Sequence, residues 1–184
     1  AARRRGQRVL RRVTEYALFD TPLGRCGIAW EGDVIAGVQL PEQRDADPRA
    51  RLRDRFDGAT EGTPPSVVED AIECMTASLR GEADDLVEVL LDFDALPPFH
   101  RKVLTMVRTI PAGETMSYGE VAAAAGSPGA ARAVGQVLGR NPYPIIVPCH
   151  RVLAAGGKAG GFTAADGVTT KLQMLAIEGV MPSV

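Results

Sequence analysis

The chain has 184 residues, 45% of them hydrophobic, and a net charge of −2. That is enough for one full domain or two small ones around a real core, and it falls outside the disordered and fibrous classes. No apolar run nears the ~20 residues of a membrane-spanning helix. The arginine-rich start lacks the apolar stretch and cleavage site of a secretory signal. Three widely spaced cysteines argue against a disulfide framework or a structural zinc site, and they suit a reducing cytoplasm.

Charge is unevenly spread. Residues 1–12 carry +6, residues 13–96 carry −12 and residues 97–184 carry +4, which sum to −2. A basic second half beside an acidic first half is the asymmetry expected when one half meets a polyanion, although acidic stretches are mostly solvated faces. The tail 1–12 reads as disordered, with non-specific phosphate contact as its one functional reading.

In chain order, Tyr16 to Phe19, Arg25 to Trp30 and Val34 to Leu40 alternate apolar and polar residues between turn segments, which predicts an antiparallel meander. Cys26 falls in the second strand as a core residue. Residues 41–48 read as a loop, Arg49 to Phe56 as a short charged helix and 57–65 as a second loop. Ser66 is expected to cap a helix to about Leu79, with Val67, Ala71, Cys74 or Met75, and Ser78 or Leu79 inward. Val87 to Phe93 reads as one more strand.

Ala95-Leu96-Pro97-Pro98 marks the expected boundary, which divides the chain into a tail 1–12, an α/β domain 13–94 and a second domain 95–184. A helix is predicted from Pro98 to about Thr109, with Phe99, Val103, Met106 or Val107, and Ile110 inward. Ser117 caps a next helix that Gly126 stops, and Pro128 or Gly129 opens another to Arg140. Two short helices joined by about four residues read as helix-turn-helix. The second has no acid, small Ala, Gly and Val side chains, and Arg132 projecting. It suits close approach to a narrow groove with sequence-independent contact, or, alternatively, tight packing in a core.

Ile145 to Val147 is strand-like, stopped by Pro148, and Cys149-His150-Arg151 follow at once. The chain has only two histidines, and one adjoins a cysteine here. Such a thiol is a candidate nucleophile, weighed against the common small buried cysteine. Residues 156–163 are Gly-rich but lack phosphate-loop spacing, and they read as a wing and loop. The last helix, about Val168 to Glu178, is expected to turn Leu172, Leu175 and Ala176 inward. Glu178 at its C-terminal end opposes the helix dipole, so it is either solvated or held by a cation or imidazole.

Pro148-Cys149-His150-Arg151-Val152, with Arg132-Ala133-Val134-Gly135 and Arg140-Asn141-Pro142 upstream, resembles the O6-alkylguanine-DNA alkyltransferase family. The resemblance is strongest over 97–180. Tyr16 to Gly24 and Trp30 resemble the family's first domain more loosely. It implies a ribonuclease-H-like α/β N-terminal domain and a mainly α, winged-helix-like C-terminal domain with the helix-turn-helix.

It also implies suicidal, stoichiometric transfer of an alkyl group from O6-alkylguanine, and from O4-alkylthymine, in duplex DNA to Cys149, without cofactor or metal. The implied catalytic set is Cys149, His150, Glu178, Asn141 and Tyr118. Tyr118, Ser127, Ala130, Ala131, Arg132, Gly135, Arg140 and Arg151 are implied at the DNA, approached from the minor groove with the nucleotide flipped out. Leu138, Pro144, Val152, Phe162 and Thr163 are implied as pocket walls. The implied protein is a cytoplasmic monomer, with cooperative assembly on DNA left open.

Phe162 and Thr163 stand where many members have Tyr and Ser, and the loop 164–170 is about two residues longer than the common pattern. The alternative within the resemblance is a non-catalytic, lesion-binding alkyltransferase-like protein, a group that lacks the acceptor cysteine. A Cys149–His150 hydrolase is disfavoured, because sequence neighbours rarely face each other and no oxyanion-hole motif is present.

Overall fold

The computed structural model describes residues 13–41, 47–82, 86–94, 96–159 and 167–183. The predicted meander forms β1 (Glu15–Thr21), β2 (Gly24–Glu31) and β3 (Val34–Gln39), paired antiparallel in succession. A two-residue β4 (Thr60–Glu61) adds parallel to β1, so the sheet is mixed, in the order β3-β2-β1-β4. Gly24 makes the first hairpin turn at φ 119°, a conformation that L side chains avoid.

The sheet's two faces differ because its residues alternate. Cys26, Ile28 and Trp30 point into the main core, while Gly27 and Ala29 face α1 (Pro48–Arg55). A Cβ at Gly27 would lie 2.5 Å from Leu52 Cδ1, so glycine lets α1 lie close to the sheet. Asp47 caps α1 by accepting from the Arg49 amide, and Arg49 forms an exposed ion pair with Glu61.

α2 (Ser66–Ser78) buries Val68, Ala71 and Met75. Ala71, Met75 and Leu79 face inward as expected, but Val68 replaces Val67, which is 39% exposed. Pro65 rather than Ser66 is the N-cap, and no side chain caps this end. The strand expected at Val87 to Phe93 is absent. Among the described residues, this segment pairs with the sheet through one bridge, between Ile35 and Leu91, and Val89, Leu91 and Phe93 pack against the core. Leu86, at φ 51°, reverses the chain just before it, and the Arg108 guanidinium then takes up the Leu86 and Val89 carbonyls.

The second part is helical. α3 (Pro98–Arg108) buries Val103, Leu104 and Val107. α4 (Tyr118–Ala124) and α5 (Ala131–Leu138) follow, then α6 (Val168–Ile177). Short β5 (Met116–Ser117) and β6 (Val152–Leu153) pair in parallel beside α4. The main core is continuous from Cys26 and Trp30 to Val147 and Met174, crossing the expected boundary.

Polar bonds cross it too. The Val38 amide donates to the Pro142 carbonyl at 2.9 Å, and Arg55 donates to the same oxygen at 3.0 Å. Tyr143 donates its hydroxyl to the Asp92 carbonyl, and its ring packs 5.6 Å from that of Phe93.

Candidate functional site

Four segments meet at Cys149. The first is α4, whose start is fixed by a capping box. Ser117 accepts from the Glu120 amide, and the Glu120 carboxylate accepts from the Ser117 amide. This box sets Tyr118 at the first turn, half-buried. Burial, with the charge Cys149 carries when ionised, pushes the Tyr118 phenol up.

The second segment is α5. Gly126 at φ 76° and Gly129 at φ 87° turn the chain between the helices, and Val134, Val137 and Leu138 hold α5 in the core. Arg132 and Arg140 are exposed, while Ser127, Ala130, Ala131 and Gly135 are half-buried. A methyl on Gly135 would sit 3.8 Å from the Tyr118 ring, an ordinary contact, so packing inside the protein does not demand glycine there.

The third segment is the turn carrying the thiol. The strand expected over Ile145 to Val147 is a turn instead, with Ile145 at φ 75°. A β-branched residue there is strained by about 1–3 kcal/mol, and its buried side chain and neighbouring bonds hold it. Asn141 is one of those bonds. Its Nδ2 donates to the Val147 carbonyl at 2.9 Å and its Oδ1 accepts from the Tyr143 amide. Pro148, at φ −77° and ψ 65°, then makes an inverse γ-turn closed by the Cys149 amide and the Val147 carbonyl at 2.7 Å. One turn of 3-10 helix, Cys149–Arg151, leads into β6.

The fourth segment is α6, which supplies Lys171 and Glu178. Glu178 is 6% exposed at its side chain. It accepts from His150 Nε2 at 2.8 Å and from Arg151 Nε and Nη2, while Arg151 Nη1 donates to the Ile110 carbonyl. Of the two readings of Glu178, the structure selects the one held by both a cation and an imidazole. Burial pushes its carboxyl up. The bonds and charges of His150 and Arg151 outweigh that and take it down to about 2.

Burial lowers the His150 imidazole, which favours its neutral form, while the bond and charge of Glu178 oppose that shift. An ionised Glu178 must accept from Nε2–H, which leaves the proton off Nδ1. That Nδ1 is buried and has no hydrogen-bond partner among the described residues.

Burial likewise pushes the Cys149 thiol up. Asn141, the Lys171 charge and the local amides oppose it. Lys171 is fully buried, donates to the Val152 carbonyl at 2.6 Å and lies 5.7 Å from the Tyr118 ring centre. Burial takes its ammonium down to about 8, and the ionised sulfur favours its charge.

Sequence reasoning gave Lys171 no role. The available signal was its spacing, since Lys171, Leu175 and Glu178 recur at helical intervals on one face. The inward face of α6 is accordingly Thr170, Lys171, Met174 and Leu175, with Leu172 39% exposed and Ala176 exposed. Arg151 is 4% exposed and engaged by Glu178.

A cavity of about 420 Å³ has Cys149, Leu138 and Pro144 on its wall, with Asn141 and Arg140 beside them. Val152 is buried beneath the site. Phe162 and Thr163, with residues 164–166 of the loop 164–170, lie outside the described residues, as do residues 1–12. Among the described residues, no group of His, Cys, Asp or Glu has a metal-holding arrangement, and no helix is long and apolar enough to cross a membrane.

Comparison with known proteins gives a consistent result. Residues 98–180 match the family described as 6-O-methylguanine DNA methyltransferase, DNA binding domain. The chain is 38% identical to a methylated-DNA–protein-cysteine methyltransferase of Mycolicibacterium paratuberculosis, over 90% of this chain and 93% of that one. It is 35% identical to the bifunctional transcriptional activator/DNA repair enzyme Ada of Escherichia coli, covering 90% of this chain and 46% of the longer protein. In structure it is similar to Mycobacterium tuberculosis OGT crystallised in complex with DNA, with a TM-score of 0.73 and 36% identity over 90% of this chain and 93% of that one.

Proposed function

The chain belongs to the methylated-DNA–protein-cysteine methyltransferase family, and from that premise we propose that Cys149 is the alkyl acceptor and that the groups around it run a single, irreversible transfer. It is a DNA-repair methyltransferase that binds DNA. The observation that carries the assignment is the company of the sulfur. Cys149 is a buried thiol on a cavity wall, beside an imidazole with an uncommitted ring nitrogen and within the field of a buried ammonium. Because the acceptor thiol is present, the lesion-binding alternative is disfavoured.

The steps follow from that geometry. His150 Nδ1 takes the thiol proton, through a water where the gap requires one, and Glu178 steadies the imidazolium that forms. The ammonium of Lys171 favours the thiolate. The sulfur attacks the alkyl carbon in line. The S–C bond forms as the C–O6 bond breaks, the electron pair goes to O6, and a proton donated through Tyr118 leaves the guanine neutral. The product is a thioether, from which thiolate is a poor leaving group, so each molecule acts once. The same attack at O4-alkylthymine follows from the same chemistry.

Guanine O6 lies inside the duplex, so the nucleotide must leave the stack. α5 suits the minor-groove side of that event. Ala130, Ala131 and Gly135 allow close approach, Ser127 and Arg140 flank it, and the exposed Arg132 fills the vacated space. In this reading the sheet with α1 and α2 is a ribonuclease-H-like domain ending near residue 94. α4, α5 and the β5–β6 pair form a winged-helix-like one, acting as a monomer in the cytoplasm.

Intact-protein mass spectrometry after incubation with an O6-methylguanine duplex tests the proposal. The expected result is one methyl per protein, mapped to Cys149. A folded wild-type protein that stays unmodified would falsify it. Arg132→Ala is expected to slow repair in duplex by about tenfold or more while sparing reaction with the free base. Equal loss on both substrates removes the flipping role.

A further inference from the structure

The turn that leads to the thiol is held from inside and from outside. Inside, the Asn141 side chain ties the Tyr143 amide to the Val147 carbonyl. Those bonds fix the shape of residues 141–147 but not where that shape sits. Its seat comes from the sheet. The Pro142 carbonyl accepts from the Val38 amide at 2.9 Å and from Arg55 Nη2 at 3.0 Å. Arg55 Nη1 donates to the Val38 carbonyl at 3.3 Å, so one guanidinium bridges β3 and the turn.

The fold makes room for that guanidinium. Arg55 is the last residue of α1, and it stacks 4.9 Å from the Phe56 ring. A Cβ at Gly37 would lie 2.6 Å from Arg55 Nη2 and 2.8 Å from the Phe56 ring, so glycine clears the space on β3. A planar fork of donors suits two carbonyls at once, which a single ammonium does not. Two other arginines of α1 point elsewhere, Arg49 to Glu61 and Arg53 to the Tyr16 hydroxyl. Arg55 shares a cavity wall with Asn141, Pro142 and Cys149.

This chain of bonds ends at the sulfur. Asn141 is the first of the groups that oppose burial and bring the Cys149 thiol down. It directly precedes Pro142, so a Pro142 carbonyl that drifts carries Asn141 with it. We infer that Arg55 is a positioning residue for alkyl transfer, which seats Asn141 at the Cys149 turn by bridging the Val38 and Pro142 carbonyls. The inference rests on Cys149 being the acceptor. Arg55 touches neither the alkyl group nor the guanine in this role.

The signature lies in the pH dependence of the rate. With Asn141 unseated, the thiol keeps its proton to higher pH. The deficit is then large at low pH and closes as the thiol ionises. A loosened fold instead loses rate or amplitude by one factor at every pH. Tyr118 of α4, Arg140, His150, Arg151, and Lys171 and Glu178 of α6 are the other titratable or charged groups around the thiol, and the Arg55 variants keep them all.

The test measures single-turnover methyl transfer from an O6-methylguanine duplex, read by intact mass from about pH 6 to about pH 9, for wild type, Arg55→Met and Arg55→Lys. Thermal melting confirms folding, and Arg55→Gln replaces Arg55→Met if that variant does not fold. Arg55→Met is expected to be about tenfold slower at the acid end and within about twofold of wild type at the alkaline end. Arg55→Lys, which keeps a charged donor, recovers part of the loss. Affinity for an unmodified duplex stays within about twofold. Added to Asn141→Ala, Arg55→Met costs no more than about a further twofold, because both remove one interaction. Where Asn141→Ala does not fold, the pH profile decides alone.

An equal deficit at every pH, no deficit at any pH, no recovery by Arg55→Lys, or a full tenfold loss on top of Asn141→Ala overturns the inference. Each of those outcomes leaves Cys149 as the acceptor. A folded wild type that takes up no methyl removes the acceptor reading itself.

Discussion

Cys26 and Cys149 are both buried thiols pushed up by burial, yet their surroundings share little. Cys26 sits in β2 with one polar neighbour, Thr21 Oγ1 at 3.6 Å, and its thiol is driven to about 11. Around Cys149 stand Asn141, His150 and Lys171, all oriented by bonds to the backbone or to Glu178. Burial alone therefore disfavours the thiolate. Reactivity needs groups that favour the thiolate and are themselves held. The ion pairs divide the same way: Arg25–Asp20 and Arg49–Glu61 on the sheet are exposed, while Arg151–Glu178 is buried.

The sharpest way to break this contrast is to exchange the thiols' fates. Cys149→Ala is expected to abolish methyl acceptance, whereas Cys26→Ala still takes one methyl per protein. A methyl mapped to Cys26 in the wild type or in Cys149→Ala would end the distinction. Next is Glu178→Ala, which leaves Arg151 buried without its carboxylate. Breaking a buried pair costs about 3–5 kcal/mol, to be read as a loss of denaturation midpoint together with slowed transfer.

The same carboxyl gives a pH signature. Its folded value of about 2 lies below its ordinary 4.5, so its contribution to stability is complete above about pH 4.5 and is lost as pH falls towards 2. Glu178→Gln should flatten the acid unfolding curve in that window, and an unchanged curve would show that the pair contributes nothing. The smallest effect is expected on the sheet. Arg25→Ala should leave melting temperature and transfer rate unchanged, because its partner is solvated. A marked loss would place the two kinds of ion pair in one class.

Legibility in the sequence followed how local the cause was. The Ser117–Glu120 box and the glycines at 24, 126 and 129 act within a few residues, so chain order reveals them. Glu178 offered two readings, because only tertiary packing brings it to His150 and Arg151. Ile145 to Val147 read as strand because β-branched residues favour it. The turn forms because Asn141 and the Pro142 clamp hold the chain against that preference. The residues 87–93 alternate well enough for a strand, but the reversal at Leu86 leaves them a single bridge. The burial of Lys171 and Arg151 was not legible, because cations usually face water and here backbone carbonyls and Glu178 replace it.

The Pro142 carbonyl, which takes one donor from β3 and one from α1, has a consequence for the order of synthesis. Both donors leave the ribosome about a hundred residues before their acceptor, and early segments generally fold first. The sheet and α1 can then be in place as a template when residues 141–149 emerge. A fragment beginning at α3 would carry every group of the thiol's own neighbourhood, but it would have to shape the strained turn at Ile145 without that template.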